Sequence, residues 1–291
     1  MRDYLLSFFE EFAYVPEDAQ VLLGAYDRIT EDAEAYALWQ EALALYDADM
    51  FCDYIKILGL ADAVADRLEM NVYTLELLIF VCLTPKAAEY YRQKGLDEAL
   101  FHNTMLDLRY KLEECKAVYG IVGSFVARWF RGFFNLTRFA FGRLQFEIIQ
   151  FDGNYEKDGH VLTPESKVIN IHIPRTGTPM DPESCDRAFA MAKEFFGSQV
   201  GETAPFVCSS WLLFPEHKTM LSSQSNTYKF LMRFDIIRSS YYKDRSNLWR
   251  LFDTMEVHPD RLPADTSFRR CYVEHLKKGG RLGGGYGVFF L

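Results

Sequence analysis

The sequence contains no apolar run long enough to cross a lipid bilayer. A spanning helix needs about 20 consecutive apolar residues, whereas the longest apolar stretch, residues 75–83, carries Glu76 and is followed by Thr84 and a proline. The N-terminus also lacks the basic start and small-residue cleavage site of a secretory signal peptide, because acidic Glu10 and Glu11 follow closely. We therefore expect a cytoplasmic protein without a membrane partner.

Cysteine is scarce and scattered. The six cysteines include no CxxC or CxH pair, the spacings at which zinc ligands commonly occur. In the absence of a secretion signal, the thiols are expected to be reduced and mostly to fill the core. We therefore expect neither a metal site nor disulfides from the residues Cys52, Cys82, Cys115, Cys185, Cys208 and Cys271.

Two catalytic motifs are also missing. There is no Gly-x-Ser-x-Gly elbow, and no histidine is placed by sequence to pair with Cys208, which argues against a serine or cysteine hydrolase. The glycine-rich stretch at residues 283–287 lacks the Lys-Ser/Thr of a phosphate-binding P-loop and precedes no helix. It is predicted to be a close-packed turn before a last strand at residues 288–291.

The charge of the chain is uneven. Residues 1–115 hold 9 Lys and Arg against 23 Asp and Glu, whereas residues 116–291 hold 23 against 18. In a chain of 291 residues, this asymmetry indicates two units. The sequence pattern changes at Gly120, which divides the chain into a predicted helical domain at 1–120 and a second domain at 121–291. The basic unit favours an anionic ligand such as a phosphorylated cofactor. Its basic residues form no nucleic-acid-binding motif, so nucleic acid is not an expected partner.

Residues 1 to about 120 show the apolar spacing of helices throughout. Gly59 and Gly95 lie where helix C-caps are expected. No nucleophile–base pair occurs in this region, so its predicted role is to act as a scaffold or to contribute one wall of a cleft. The predicted helices span residues 3–12, 30–48, 50–58, 61–69, 71–83, 85–94 and 97–119, with a further helix that begins at Pro16.

Strand-like alternation of side chains begins after residue 140, where residues 143–149 alternate as along a β-strand. Residues 157–160 have the composition of a turn. Because strands then alternate with helices, the second domain is predicted to be α/β. The predicted strands span residues 143–149, 168–173, 206–214 and 234–242, and the predicted helices span residues 184–196, 227–233, 247–254 and 266–278.

Several segments of the second domain carry a family resemblance. They are FGRLQFE at 141–147, INIHIP at 169–174, CSSWLLFP at 208–215, SN at 225–226, LPADTS at 262–267 and GGRLGGGYGVF at 279–289. In this order they resemble bacterial acyltransferases with a helical N-terminal domain and a GNAT-like C-terminal domain. The resemblance implies a mixed β-sheet flanked by helices after the helical domain. It also implies an N- or O-acyltransferase that uses acyl-CoA and an unidentified small-molecule or peptide acceptor.

The resemblance places the cofactor between two splayed strands. GNAT-type enzymes bind the pantetheine arm along the first strand and the pyrophosphate at the N-terminus of the next helix, where free N–H groups favour anions. The segments at 168–173, 184–196 and 206–214 have the corresponding order. The loop between the first two lacks the Gln/Arg-x-x-Gly-x-Gly/Ala run of such enzymes. The implied cofactor contacts are Ile171, Ile173, Arg175, Thr176, Gly177, Thr178 and Ser184.

Acyl transfer to an amine needs a base for the amine and an acid for the leaving thiolate. His172 and Glu147 are the candidate bases, Tyr228 is the candidate acid, and Asn170 is placed to polarise a carbonyl. A nucleophilic Cys208 would give a ping-pong variant, although a buried thiol is typically inert. The alternative is a non-catalytic, GNAT-like binding or regulatory module, which the missing loop motif favours.

Overall fold

Six helices occupy most of the first 120 residues in the computed structural model, which describes residues 1–291. They are α1 (Arg2–Glu11), α2 (Pro16–Glu31), α3 (Ala33–Ala48), α4 (Tyr54–Arg67), α5 (Val72–Gln93) and α6 (Glu98–Tyr119). Gly120, at which the sequence divides the predicted domains, caps α6 with a φ of 71°. None of the helices is both long enough and apolar enough to cross a lipid bilayer.

Helices α4 and α5 each replace two predicted helices. Gly59 lies inside α4 rather than at a C-cap, and Pro85 lies inside α5. Pro85 has no N–H to donate to the carbonyl of Val81, four residues earlier. The Thr84 hydroxyl instead donates to that carbonyl over 2.5 Å. The predicted break at residue 84 is therefore wrong because a side chain supplies the missing donor.

The first of two compact units, Met1–Phe139, includes the aromatic segment after α6. This segment forms a short 3₁₀ helix, Ala127–Phe130, and α7 (Arg131–Phe134). The Phe134 ring packs 5.0 Å from that of Phe80, and the buried Tyr46 hydroxyl donates to the Phe134 carbonyl over 2.9 Å. The segment thus belongs to the core of the helical unit.

The second unit, Ala140–Leu291, is built on a mixed sheet whose first strand begins two residues earlier, at Arg138. The strands are β1 (Arg138–Phe141), β2 (Leu144–Gln150), β3 (Tyr155–Lys157), β4 (His160–Leu162), β5 (Lys167–His172), β6 (Pro205–Ser210), β7 (Asp235–Tyr241) and β8 (Gly283–Phe290). Six of them form one sheet in the order β1-β2-β5-β6-β8-β7, and β3 and β4 form a separate hairpin. In the large sheet, β5 and β6 are parallel, whereas β2–β5, β6–β8 and β7–β8 are antiparallel. The helices are α8 (Pro182–Val200), α9 (His217–Met220), α10 (Asn226–Leu231), α11 (Trp249–Phe252) and α12 (Ser267–Lys277). The prediction of a mixed sheet flanked by helices after a helical region is confirmed.

Some predicted bounds in the second unit are wrong. The strand predicted at 206–214 ends at Ser210 and continues as a 3₁₀ helix, Trp211–Leu213. The glycine-rich stretch is not a turn but the body of β8. A Cβ atom on Gly285 would lie 2.2 Å from the Leu213 carbonyl oxygen. Glycine is needed here because the 3₁₀ helix folds directly onto the strand.

The two faces of the large sheet differ in what covers them. On one face, Phe189 of α8 packs against Phe206 of β6 and Phe289 of β8, with ring centroids 5.4 and 4.9 Å away. On the other face, a smaller apolar cluster under the β3–β4 hairpin contains Phe151, Leu162, Val168, Val207 and Val288. The polar residues of interest lie on the second face.

Candidate active site

Strands β5 and β6 pair only briefly and then separate. Their register consists of two residue pairs, Ile169 with Phe206 and Asn170 with Val207. Beyond these pairs, β5 stays paired with β2 as far as His172, and β6 stays paired with β8 as far as Ser210. The facing edges of the two strands are therefore not joined at their carboxyl ends. We call this opening the β5–β6 gap; it is the geometry that the sequence resemblance implies.

Three polar side chains meet on the sheet face beside the β5–β6 gap. Glu147 of β2 lies directly opposite Asn170 of β5. His172, two residues farther along β5, shares the face of Asn170 because strand side chains alternate with a period of two. The His172 Nε2 lies 2.6 Å from Glu147 Oε1 and 3.1 Å from Asn170 Nδ2. Asn170 Nδ2 also donates to Glu147 Oε1 over 3.2 Å. The structure thus brings together two of the predicted catalytic residues.

The contacts indicate which imidazole tautomer this cluster favours. Glu147 is an acceptor when ionised, and Asn170 Nδ2 is a donor only. A proton on His172 Nε2 gives Glu147 a second donor, and Nδ1 is then the basic nitrogen. In this tautomer the 3.1 Å contact between Asn170 Nδ2 and His172 Nε2 is not a hydrogen bond. The Glu147 and His172 side chains are 16% and 20% exposed, so their hydrogen bond is largely shielded from water. A histidine held by a carboxylate in this way can act as a base.

The amide of Asn170 already donates to Glu147 and lies 3.1 Å from His172 Nε2. The sequence placed Asn170 as a group that could polarise a substrate carbonyl. Its observed contact is a hydrogen bond to the Glu147 carboxylate. The one-to-one register of Glu147 with Asn170 could not be read from the sequence, because it depends on pairing across 23 positions.

The loop from Pro174 to the start of α8 carries most of the predicted cofactor contacts. Gly177 has a φ of 75°, and the hydroxyls of Thr176 and Thr178 lie 2.7 Å apart. Arg175 forms an ion pair with Asp253 over 2.9 Å. Arg143 Nη1 donates to the Pro174 carbonyl over 2.9 Å and fastens the start of the loop.

The sequence did not identify Asp253 as a site residue, although its carboxylate pairs with an arginine of this loop. It follows α11 in a left-handed conformation, with a φ of 54°. Its carboxylate binds Arg269 of α12 as well as Arg175, over 2.6 and 2.9 Å. Two guanidinium groups thus share one carboxylate. Since Arg175 and Asp253 are 78 residues apart, no local pattern predicts the contact.

The N-terminus of α8 is capped by a carboxylate. Asp181 Oδ1 accepts from the Ser184 amide over 2.9 Å, and Asp181 Oδ2 accepts from the Ser184 hydroxyl over 2.7 Å. These hydrogen bonds from Ser184 lower the pKa of Asp181. A negative side chain therefore already uses a donor that an anion at the helix N-terminus would need. A phosphate at Ser184 would have to displace this cap.

Tyr228 and Cys208 are not part of the polar cluster. Tyr228 lies half-buried in α10, where its amide donates to Ser225 Oγ over 3.2 Å, and no hydrogen bond links its hydroxyl to Glu147 or His172. Cys208 follows Val207, which shares the face of Asn170, so the thiol points to the opposite face of the sheet. Complete burial raises the pKa of Cys208 to about 12. The orientation and burial of the Cys208 thiol both argue against the ping-pong alternative.

All six cysteines have free thiols, and no group of three His, Cys, Asp or Glu residues is arranged to hold a metal ion. The polar cluster of Glu147, Asn170 and His172 contains two acid–base side chains beside the β5–β6 gap. This combination can remove a proton from a nucleophile held at the mouth of the opening.

Comparison with known proteins extends over both units. Residues 3–136 match the family model described as an N-acyltransferase N-terminal domain, and residues 138–289 match the model of a GNAT-like C-terminal domain. No match was found among curated protein sequences.

Solved structures with a similar fold include an acyltransferase in complex with decanoyl-CoA and teicoplanin. It is 20% identical, with a TM-score of 0.77 over 98% of this chain and 87% of that one. A mutant acyltransferase in complex with octanoyl-CoA is 18% identical, with a TM-score of 0.79 over 99% and 88% of the two chains. At this level of identity, the similarity establishes the shared fold.

Proposed function

Since the chain belongs to the family that joins an N-acyltransferase N-terminal domain to a GNAT-like C-terminal domain, we propose that it transfers an acyl group from acyl-CoA to a small molecule or peptide. The observation that carries the proposal is the β5–β6 gap with the Glu147–His172 pair on its border. An open strand edge offers peptide groups to a ligand that itself contains amides, as pantetheine does. The acid–base pair supplies what acyl transfer needs next to that edge.

The acyl donor, acyl-CoA, is proposed to lie along β5 and the loop that follows it. The backbone of Ile171 and Ile173 would bind the pantetheine arm, since this edge has no strand partner beyond Asn170. The phosphates would lie over the loop, at the residues Arg175, Thr176, Gly177, Thr178 and Ser184. Arg175, whose side chain is 40% exposed, is the cationic group of this loop that a phosphorylated ligand would meet.

Transfer is proposed to occur by direct attack. The acceptor amine attacks the thioester carbonyl, and His172 Nδ1 takes a proton from the amine nitrogen. Glu147, which is hydrogen-bonded to His172 Nε2, stabilises the imidazolium that forms. The carbon–sulfur bond breaks, the acyl group becomes an amide, and the CoA thiolate receives a proton. We assign that proton to Tyr228 as general acid. A hydroxyl acceptor would follow the same steps and give an ester.

The acceptor is proposed to be a small molecule or a peptide that carries a nucleophilic amine or hydroxyl. One structural neighbour was crystallised with the glycopeptide teicoplanin and decanoyl-CoA, which supports an acceptor of this class. We also propose a cytoplasmic location, because six free cysteines are typical of a reducing compartment.

A non-catalytic module is the second candidate function, and the Asp181 cap favours it. A carboxylate at the helix N-terminus opposes a phosphate at the same place. Such a module could keep the GNAT-like sheet without turning over acyl-CoA. The two candidates differ in whether His172 matters for CoA release.

Replacement of the proposed base separates these candidates. We expect His172→Ala to lower the rate of CoA release from acyl-CoA in the presence of an amine or peptide acceptor by roughly 10²–10⁴-fold, since a general base contributes about that much. His258→Ala, which removes an exposed histidine 60% accessible to solvent, is the matched control and should keep wild-type activity. Thiol release measured with a chromogenic reagent gives the rates. Equal rates in wild type and His172→Ala, or no release with any acyl-CoA, would reject catalysis by this pair.

A further inference from the structure

A separate cavity of about 300 Å³ lies within the helical unit. It opens where the start of α4 faces the two short helices that follow α6. Its apolar wall consists of Tyr54, Ile55 and Leu58, and its cationic wall consists of Arg128 and Arg131. All of these residues belong to the first unit, so the cavity is independent of the Glu147–His172 site.

Arg128 and Arg131 differ from the other arginines of the helical unit. The other six, Arg2, Arg28, Arg67, Arg92, Arg109 and Arg138, each donate a hydrogen bond to a carboxylate or to a backbone carbonyl. Arg128 and Arg131 form no such bond and no ion pair. They lie three positions apart on one helical turn, which places both guanidinium groups on the same side. The two arginines without a partner are the two that line the cavity.

The carboxylates near these arginines do not neutralise them. Asp53, which also lines the cavity, caps α4 by accepting from the amides of Ile55 and Lys56 over 2.9 and 3.2 Å. Arg128 lies in the field of Asp62 and Glu76 but forms an ion pair with neither. Burial raises the pKa of Glu76 to about 7, so this group is partly protonated near neutral pH. With Asp53 counted, the cavity wall keeps a net charge of one positive unit.

Large apolar side chains are left in water beside the cavity. Ile55 is 57% exposed, and Phe51, one residue before the lining segment, is 66% exposed. A hydrocarbon tail that covers them would remove apolar surface from water. The cationic wall then fits a head group, because the guanidinium fork matches a carboxylate.

We propose that this cavity binds a small amphiphilic monoanion, a carboxylate with a short alkyl tail. The two guanidinium groups bind the carboxylate, and Tyr54, Ile55 and Leu58 contact the tail. A dianionic phosphate of equal tail length costs more to remove from water than a monoanion, and the single positive unit of the wall leaves one of its charges uncompensated. The site goes beyond the proposed acyl transfer and does not rest on it.

Calorimetric titration with octanoate tests this site. We expect one octanoate per chain, and we expect the double variant Arg128→Gln/Arg131→Gln to bind it at least about tenfold more weakly. Arg92→Gln, which removes an equally charged surface group outside the cavity, is the control and should bind like wild type. Octanol and octyl phosphate should both bind more weakly than octanoate.

Three results would overturn the proposal: undetectable octanoate binding, binding that persists in the double variant, or tighter binding of octyl phosphate. Both arginines are exposed on the surface, so the thermal unfolding of the double variant should match wild type and exclude a folding defect. His172→Ala should leave octanoate binding unchanged, so this proposal and the proposed function fail separately.

Discussion

His217 is a fully buried histidine held among aromatic rings. Trp211, Phe214, Phe268 and Tyr272 surround it at centroid distances of 5.2 to 6.0 Å. Burial disfavours the imidazolium and lowers the pKa of His217 to about 4. The unfolded chain therefore binds the proton more readily than the folded protein. The stability that His217 provides is present above about pH 6.5 and is lost as the pH falls towards 4.

Replacement of His217 should remove part of the acid sensitivity. When the pH falls from about 7.5 to about 5, we expect the unfolding free energy of the wild type to decrease by about 2 kcal/mol because of His217. The variant His217→Phe keeps an aromatic ring among the same side chains. Its unfolding free energy should decrease by about 2 kcal/mol less than that of the wild type over the same pH change. Urea denaturation at both pH values measures the difference, with His258→Ala as a control that keeps the wild-type dependence. Equal pH dependence in wild type and His217→Phe would contradict this account.

The sequence could suggest individual site residues, but not the contacts between them. Glu147 and His172 were predicted because each alternates with apolar neighbours on a strand, so a polar side chain there faces outward or into a site. The hydrogen bond between them, 25 positions apart, depends on the β2–β5 register. The ion pair of Arg175 with Asp253 is equally non-local. The sequence therefore suggested these residues as candidates, but it could not reveal which side chains they contact.

At the scale of elements, β8 departs most from its prediction. Glycine weakens isolated strands, so four glycines in five positions indicate a turn. In the folded unit, β8 lies between β6 and β7, and its glycines meet neighbouring groups closely: a Cβ atom on Gly287 would lie 2.7 Å from the Phe234 Cβ. Local propensity could not reveal this, because the contacts come from distant segments. By contrast, α8 and β5 follow from apolar spacing alone and were predicted close to their observed bounds.

The crowding at β8 gives a test with a matched control. Gly285→Ala should destabilise the protein by about 1–3 kcal/mol, because the added methyl group overlaps the backbone at Leu213 and neither segment can yield easily. Gly197→Ala adds the same group inside α8, where no atom lies within 4 Å. It should stabilise the protein by about 0.5–1 kcal/mol through helix propensity. Chemical denaturation of both variants measures the contrast, and equal effects would refute the close-packing explanation.

At the scale of the whole molecule, the chain divides its charge between its two units. The acidic first half is helical, and the second half, which carries the basic excess, contains the sheet with the β5–β6 gap. The order of helices and strands was predictable because each element has its own local pattern. The order of strands within the sheet, in which β8 lies between β6 and β7, required the structure. The separation of β5 from β6, on which the proposed function depends, likewise required the structure.

Hydrogen–deuterium exchange with and without acyl-CoA tests the central claim most directly. If acyl-CoA lies in the β5–β6 gap, the amides of residues 171–178 and 208–210 should exchange at least about tenfold more slowly when it is bound, because the ligand accepts or shields their N–H groups. The β3–β4 hairpin, at residues 155–162, should exchange at an unchanged rate. Slowed exchange at the gap is the result that we expect. Bound acyl-CoA that leaves these segments unprotected, or that protects only the helical unit, would contradict the assignment of the cofactor to this gap.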